Sequence, residues 1–290
     1  MTSKEPKASI IVVGSINMDV TIRVESLAVC GETVSGSDAE LLLGGKGANQ
    51  AIAAHRLGAD VRFIARVGDD AFGYAAKLSL KDFGLDLTTV LTSSGVATGV
   101  AMIAVDRHGQ NAITLSPGAN AGLSIADVVQ NLSETSVHNI ILLQNEISAE
   151  VSKFAAAKIK DRGGFVVLDP APAQNFDHAL IALADVVTPN ESEAMALTGI
   201  QIRGLLDAER AARHLVSLGA GTALIKMGAA GVIYAGKNGE GYVPARNIIA
   251  VDTVAAGDCF NGALAVALGE GIAFHKAIEF ACSAAAISVT

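Results

Sequence analysis

The sequence predicts an α/β fold: a doubly wound, mainly parallel sheet with helices on both faces, carrying a small antiparallel β-sheet as a lid. Three observations predict it. Short β-branched runs alternate with alanine-rich helical stretches, several of those stretches close on a glycine, and two segments break the alternation with strand pairs that have no helix between them.

Residues 10–14 open the pattern as a near-continuous apolar run, which is how a strand buried on both faces of a parallel sheet reads. Residues 20–43 depart from it, with alternating segments at 21–24 and 40–43 around a turn at Cys30 and Gly31. Helical periodicity follows at 49–57, a strand at 61–67 and a helix at 72–83. Residues 98–116 form the second departure, a hairpin of 99–105 and 111–115 turned by 106–109. Beyond it, strands are predicted at 140–144, 165–168, 186–188 and 223–227, and helices at 149–162, 206–218 and 259–268. Gly58, Gly84, Gly163 and Gly219 stand where left-handed helix C-caps are expected. Strand–helix alternation argues for the doubly wound core. The two departures read as one separate sheet made from two chain segments, or else as edge hairpins on the main sheet. The expected division is a core of residues 8–19, 44–97 and 117–290 with a lid of 20–43 and 98–116. A lid of this kind excludes water from chemistry on phosphates.

Composition agrees. With 290 residues, 51% hydrophobic and 17% charged, the chain has apolar surface enough to exclude disorder and to build one large domain with a smaller appendage. Its apolar runs are too short to span a bilayer, and residues 260–290 are interrupted by Glu270, His275, Lys276 and Glu279. The net charge of −8 and the lack of a basic, aromatic track argue against nucleic acid and membrane partners. An anionic substrate stays open, because helix N-termini hold phosphates inside acidic proteins. Cys30, Cys259 and Cys282 have no CxxC spacing and no signal peptide precedes them, so a reducing, cytoplasmic setting is expected. Residues 1–7 read as a short flexible leader. His55, His108, His138, His178, His214 and His275 show no zinc-type clustering, and each is expected in a structural or solvated role. Cys259 borders a candidate site helix, which suggests sensitivity to thiol reagents.

Two glycine-rich stretches carry chemistry. In Gly44-Gly45-Lys46-Gly47-Ala48-Asn49-Gln50 the glycines permit close backbone approach, and Lys46 and Asn49 add donors for the hydroxyls of a small polar molecule. Neither the Walker A nor the GxGxxG pattern is present. The same string also reads as a glycine turn entering a helix. In Asp252-Thr253-Val254-Ala255-Ala256-Gly257-Asp258, small residues lead into an apolar helix whose free N–H groups form an anion pocket. A carboxylate at the mouth of such a pocket suits a base that takes a proton from an alcohol attacking phosphorus. Asp258 reads equally as a helix N-cap.

Position by position, residues 44–68 (GGKGANQA, then Gly58 and Gly68) and residues 252–264 (DTVAAGDCFNGAL) resemble the two motifs of the ribokinase-like (PfkB) carbohydrate kinases. Six further stretches resemble the same family: GSINMD (14–19), GET (31–33), GDD (68–70), GAN (118–120), DPAPA (169–173) and TPNESEA (188–194). The resemblance runs from about residue 10 to residue 290.

The resemblance implies a kinase that phosphorylates D-ribose at O5 with ATP and Mg2+, activated by K+. Asn17, Met18, Asp19, Gly45, Lys46, Gly47, Ala48, Asn49 and Glu146 correspond to the sugar site, with Asp19 open to reading as a turn residue and Glu146 as a surface glutamate. Asp258 corresponds to the catalytic base, and the N–H groups of Ala255, Ala256 and Gly257 to the anion hole. Asn190 and Glu193 match the family's phosphate and Mg2+ residues, Glu193 acting through water; the same residues read as an acidic helix start. Lys226, Met227, Gly228, Ala229, Ala230 and Gly231 (KMGAAG) match the nucleotide loop, with lysine where the family more often has threonine. Asp252 and the carbonyls of Val254 and Val289 match part of the potassium site. The rest of that site and one wall of the adenine pocket come, in relatives, from residues after the position of Thr290, so a C-terminally shortened chain is expected. A homodimer through the lid strands is expected as well. The alternatives are a kinase for another pentose, a ketohexose or a nucleoside, or a shortened chain that only binds sugar or a partner subunit.

Overall fold

The computed structural model describes residues 8–132 and 140–290. The leader expected at residues 1–7 and His138 lie outside the described residues. The first strand, β1 (Ser9–Val13), is buried through Ile10, Ile11, Val12 and Val13. The chain then leaves the main sheet for β2 (Asn17–Arg23) and β3 (Glu40–Gly44), and returns through α1 (Lys46–Arg56), β4 (Asp60–Gly68), α2 (Ala71–Asp82) and β5 (Val90–Ser93). A second excursion forms β6 (Gly99–Val105) and β7 (Asn111–Ser116), followed by α3 (Ile125–Asn131). The remaining core runs through β8 (Ile140–Gln144), α4 (Ala149–Lys160), β9 (Phe165–Asp169), β10 (Val186–Val187), α5 (Glu191–Thr198) and α6 (Leu205–Ser217). It closes with β11 (Thr222–Lys226), β12 (Val232–Gly236), β13 (Gly241–Val243), α7 (Ala256–Gly269) and α8 (Phe274–Ser288).

The main sheet has nine strands in the order β13-β12-β11-β10-β9-β8-β1-β4-β5, parallel except for the edge pairs β11–β12 and β12–β13. Two apolar layers cover its faces. One contains α1, α7 and α8, the other α4 and α6. This is the predicted doubly wound core, with element ends shifted by one to three residues. β5, β12, β13, α3 and the 15-residue α8 are additions to the elements expected from the sequence, all but α8 being short. Gly58, Gly84, Gly163 and Gly219 all have positive φ, as expected at helix ends.

The lid is a separate sheet of four strands in the order β3-β2-β6-β7. One correction applies. It is not wholly antiparallel, because β2 and β6 pair in parallel from Asn17↔Gly99 to Arg23↔Val105. The reason is topological: β1 and β5 run the same way in the main sheet, and the strands leaving their C-terminal ends therefore set out in the same direction. Asn17, Met18 and Asp19 belong to β2, where Asp19 pairs with Leu42 of β3.

Helix α7 packs on α1 closely enough that a Cβ at Gly262 would lie 2.8 Å from Ala53 Cβ and 2.9 Å from the Gln50 carbonyl oxygen. The approach brings the first turn of α7 against the first turn of α1, at the C-terminal ends of β8 and β9. Open α/β sheets place ligands there. Among the described residues no helix is long and apolar enough to cross a membrane.

Candidate active site

The N-terminus of α7 is built by an unusual residue. Ala255, its N-cap, adopts the left-handed conformation (φ 59°, ψ 9°) and makes no side-chain cap. A non-glycine residue held there stores on the order of 1 kcal/mol of strain, and such strain clusters at functional sites. The Ala256 N–H donates to the Thr253 carbonyl at 3.3 Å. Among the described residues, the N–H groups of Ala255, Gly257 and Asp258 find no acceptor. The free donors therefore differ from the expected set: Ala256 is engaged and Asp258 is added. Together with the helix dipole they form an anion pocket.

Asp258 sits in that first turn, 5% exposed. Its Oδ2 accepts from Asn49 Nδ2 at 3.1 Å and its Oδ1 from Gln50 Nε2 at 3.0 Å. It does not cap its own helix. Burial pushes its pKa up and Asp169 adds to this, while Lys46 and the two amide donors pull it down. Gln50 Nε2 also donates to Asp169 Oδ2 at 3.1 Å, and Lys226 Nζ lies 3.2 Å from Asp169 Oδ1. A Cβ added at Gly257 would be 3.3 Å from Lys226 Nζ, so the lysine head stands at the edge of the anion pocket. Lys46 is buried, which by itself lowers its pKa, but Asp169, Asp258, Glu146 and Glu193 together raise it well above the usual lysine range.

The residues expected at a sugar site converge where the small sheet meets the main one. Gly45 has φ 90°, a left-handed conformation that turns β3 into α1, and a Cβ there would meet the Asn17 amide nitrogen at 2.7 Å. Glu146 is no free surface glutamate: its Oε2 accepts from Ser15 Oγ at 2.5 Å and from the Lys46 N–H at 3.0 Å. Asn17 Oδ1 accepts from Asn120 Nδ2 at 2.8 Å, and the same Asn120 clips both backbone groups of Ile16. The Asp19 side chain has no hydrogen-bond partner among the described residues. Its carboxyl, packed where a Cβ on Gly44 would fall, is raised to about 6 by burial first and then by Glu146 and Asp258. An unpartnered carboxyl next to two others is an acceptor awaiting hydroxyl donors. Met18, Gly47 and Ala48 are buried behind this surface and present no side-chain polar atom to it. A cavity of about 300 Å³ opens beside it, lined in part by Asn17, Ser116, Asn120, Asn145, Glu146 and Ser148.

A larger cavity of about 930 Å³ is lined by Asp258 itself and reaches Lys46, Asn190, Glu193, Lys226, Gly228 and Gly257. Ala229 and Gly231 also line it, whereas Met227 is buried and Ala230 gives its carbonyl to the Tyr242 hydroxyl at 2.7 Å. Asn190 and Glu193 form a reciprocal capping box on α5, with Asn190 N–H to Glu193 Oε2 at 2.7 Å and Glu193 N–H to Asn190 Oδ1 at 2.8 Å. Burial, then Asp169, raises the Glu193 pKa. Glu193 and Asp169, which both line this cavity, are hard oxygen donors and fit a divalent cation that keeps most of its waters. The potassium residues fit less well. Asp252 Oδ1 accepts the Val254 N–H at 2.9 Å, and the Val289 carbonyl accepts the N–H groups of Val251 and Asp252 at 2.7 and 3.3 Å. Two of the three expected donors are thus engaged with the chain itself.

Four polar residues of this site carried no role in the sequence reading: Ser15, Gln50, Asn120 and Asp169. The signal for Gln50 was present, since it is the polar member of a buried α1 face made otherwise of Gly47, Ala48, Ala51 and Ala54.

The description "pfkB family carbohydrate kinase" matches over residues 7–290. The chain belongs to that family. This pfkB kinase is 40% identical to ribokinase of Haemophilus influenzae over 284 residues, covering 98% of this chain and 93% of the relative. It is 34% identical to deoxyribokinase of Salmonella typhimurium over 282 residues, covering 97% and 92% of the two chains. The structure of Arabidopsis thaliana ribokinase complexed with ribose and ATP superposes with a TM-score of 0.87 at 31% identity, covering 98% of this chain and 93% of that one.

Proposed function

We propose that this sugar kinase transfers the terminal phosphoryl group of ATP to the O5 hydroxyl of D-ribose, giving ribose 5-phosphate and ADP. One observation carries the reading: Asp258 lines the larger cavity, with its carboxylate bonded to Asn49 of the first glycine-rich stretch and free helix N–H groups in its own first turn. The sequence of the reaction then follows from the residues. Ribose hydroxyls donate to Asp19 and Glu146 and accept from Asn17, Lys46 and Asn49. Asp258 takes the O5 proton as O5 attacks the γ-phosphorus, and the bond to the β,γ-bridging oxygen breaks so that ADP leaves. The N–H groups of Ala255, Gly257 and Asp258 and the ammonium of Lys226 stabilise charge on the phosphoryl oxygens as it moves. Glu193, with Asn190 and Asp169 nearby, would hold Mg2+ through water, and the ion neutralises charge on the phosphates when bound. No step is routed through potassium. Asp252 Oδ2 has no hydrogen-bond partner among the described residues and stays available to K+, whereas the Val289 carbonyl already accepts two N–H groups; turnover with and without K+ tests activation.

The 34% identity to a deoxyribokinase supports a second reading with 2-deoxyribose as the acceptor. Comparing kcat/KM for ribose, 2-deoxyribose, a ketohexose and a nucleoside separates the readings; a chain that binds ribose without turning any of them over refutes kinase activity. A homodimer belongs to the same proposal, supported by the exposed Leu41, Leu42, Met102 and Ile113 on the lid strands. Analytical ultracentrifugation tests it, and a monomer at all concentrations refutes it. Cytoplasmic residence is also part of the reading, since ATP supply and three unpaired cysteines both suit a reducing compartment.

A further inference from the structure

The buried contacts of Gln50 go beyond substrate and phosphate binding. Its side chain is fully buried on α1, facing α7 and the ends of β8 and β9. The two donors of its amide are spent on two different carboxylates, Asp258 Oδ1 at 3.0 Å and Asp169 Oδ2 at 3.1 Å. Its Oε1 accepts from Gln144 Nε2 at 2.7 Å. This network fixes which end of the amide is nitrogen, because a flipped Gln50 would aim oxygen at two carboxylates and nitrogen at the nitrogen of Gln144. Asp169 is anchored in turn by Lys226.

We propose that Gln50 is a positioning residue for phosphoryl transfer: its amide bridges Asp258 and Asp169, holding the base in one orientation and keeping two neighbouring, nearly buried carboxylates compatible. The inference rests on the reading that Asp258 accepts the hydroxyl proton. Asn49 holds the other oxygen of Asp258 but belongs to the sugar surface, so its loss would mix binding with chemistry. Gln50 reaches neither cavity. The charged and titratable groups facing Asp258 are Lys46 on α1, Asp169 on β9, Asp19 on β2 and Cys259 on its own helix, with Lys226 of β11 behind Asp169. Removing the Gln50 donor leaves the Asp258 anion with a single amide partner and places Asp169 beside it unbridged. Both changes favour the protonated acid, which cannot act as a base.

The test compares wild type, Gln50→Met, Gln50→Glu and Gln50→Met combined with Asp169→Asn, measuring kcat and KM for ribose from about pH 5.5 to 9 together with Tm. Loss of a hydrogen bond to an ionised group corresponds to about one to two pH units, so the acid limb of kcat should move up by about that much in Gln50→Met. KM for ribose should stay within about twofold, because the sugar-facing groups are untouched. Gln50→Glu keeps the shape and adds a third carboxylate, and should shift the limb at least as far. Adding Asp169→Asn should bring it back towards wild type. A loss of kcat equal at every pH, or limbs that do not move, overturns the inference, since a merely structural role lowers Tm without moving the profile. A wild type that turns over ribose while both single variants keep its profile refutes the role of Gln50 alone. A wild type that phosphorylates no acceptor refutes the kinase reading and this inference together.

Discussion

Asn49 and Asp258, 209 residues apart in the chain, meet through a 3.1 Å hydrogen bond from the amide of one to the carboxylate of the other. Each belongs to one of the two glycine-rich stretches, so this contact joins the proposed sugar side of the site to the proposed phosphate side. It exists because α1 and α7 pack with almost no side chain between them.

Replacing Asp258 tests the centre of the proposal. Asp258→Ala should lower kcat by about 10²–10⁴-fold, the usual worth of a positioned base, and leave ribose affinity within a few-fold of wild type. Stopped-flow or coupled-assay kinetics beside calorimetric ribose binding measure the two separately. Unchanged kcat removes Asp258 from the chemistry.

Asp19 couples sugar binding to pH. Its folded pKa of about 6 stands above the ordinary 3.8, so between those values the native state carries a proton that the unfolded chain has lost. Stability of the ligand-free enzyme from this group is therefore present below about pH 4 and falls as pH rises through 6. Asp19→Asn should abolish that slope in Tm between those pH values. The same variant should raise KM for ribose by at least about tenfold at neutral pH, through loss of a charged acceptor.

Lys226 pairs with Asp169 where burial is nearly complete, the side chains being 14% and 2% exposed. Lys226→Thr, which restores the residue commoner in the family, leaves Asp169 without its cation and should destabilise the protein by on the order of 3 kcal/mol. KM for ATP should rise as well. Thermal denaturation and ATP titration at saturating sugar check both effects, and an unchanged Tm would mean that Lys46 alone compensates Asp169.

Gly262 sets the distance between α1 and α7. Gly262→Ala places a methyl 2.8 Å from Ala53 Cβ and 2.9 Å from the Gln50 carbonyl. Overpacking of this kind costs about 1–3 kcal/mol. Because the same helices carry Asn49, Gln50 and Asp258, kcat should fall together with Tm. A stable variant with reduced kcat would show that spacing is tuned for the site rather than for packing.

Much was legible in the sequence by itself. The alternation of apolar runs with alanine-rich helices specified the doubly wound core, and glycines marked the ends of α1, α2, α4 and α6, because periodicity and left-handed caps are local properties. The two glycine-rich stretches identified Lys46, Asn49 and Asp258 as site candidates from residue type and spacing. Only the tertiary structure decided the rest. The parallel pairing of β2 with β6 follows from the shared direction of β1 and β5, which no local pattern records. The engagement of the Val289 carbonyl by the Val251 and Asp252 N–H groups depends on where two distant segments meet. Gln50 lies beside Asn49 in the sequence, yet its partners Gln144, Asp169 and Asp258 stand 94, 119 and 208 residues away. A buried amide is defined by what surrounds it, and here those surroundings come from two sheet strands and a helix brought together by packing.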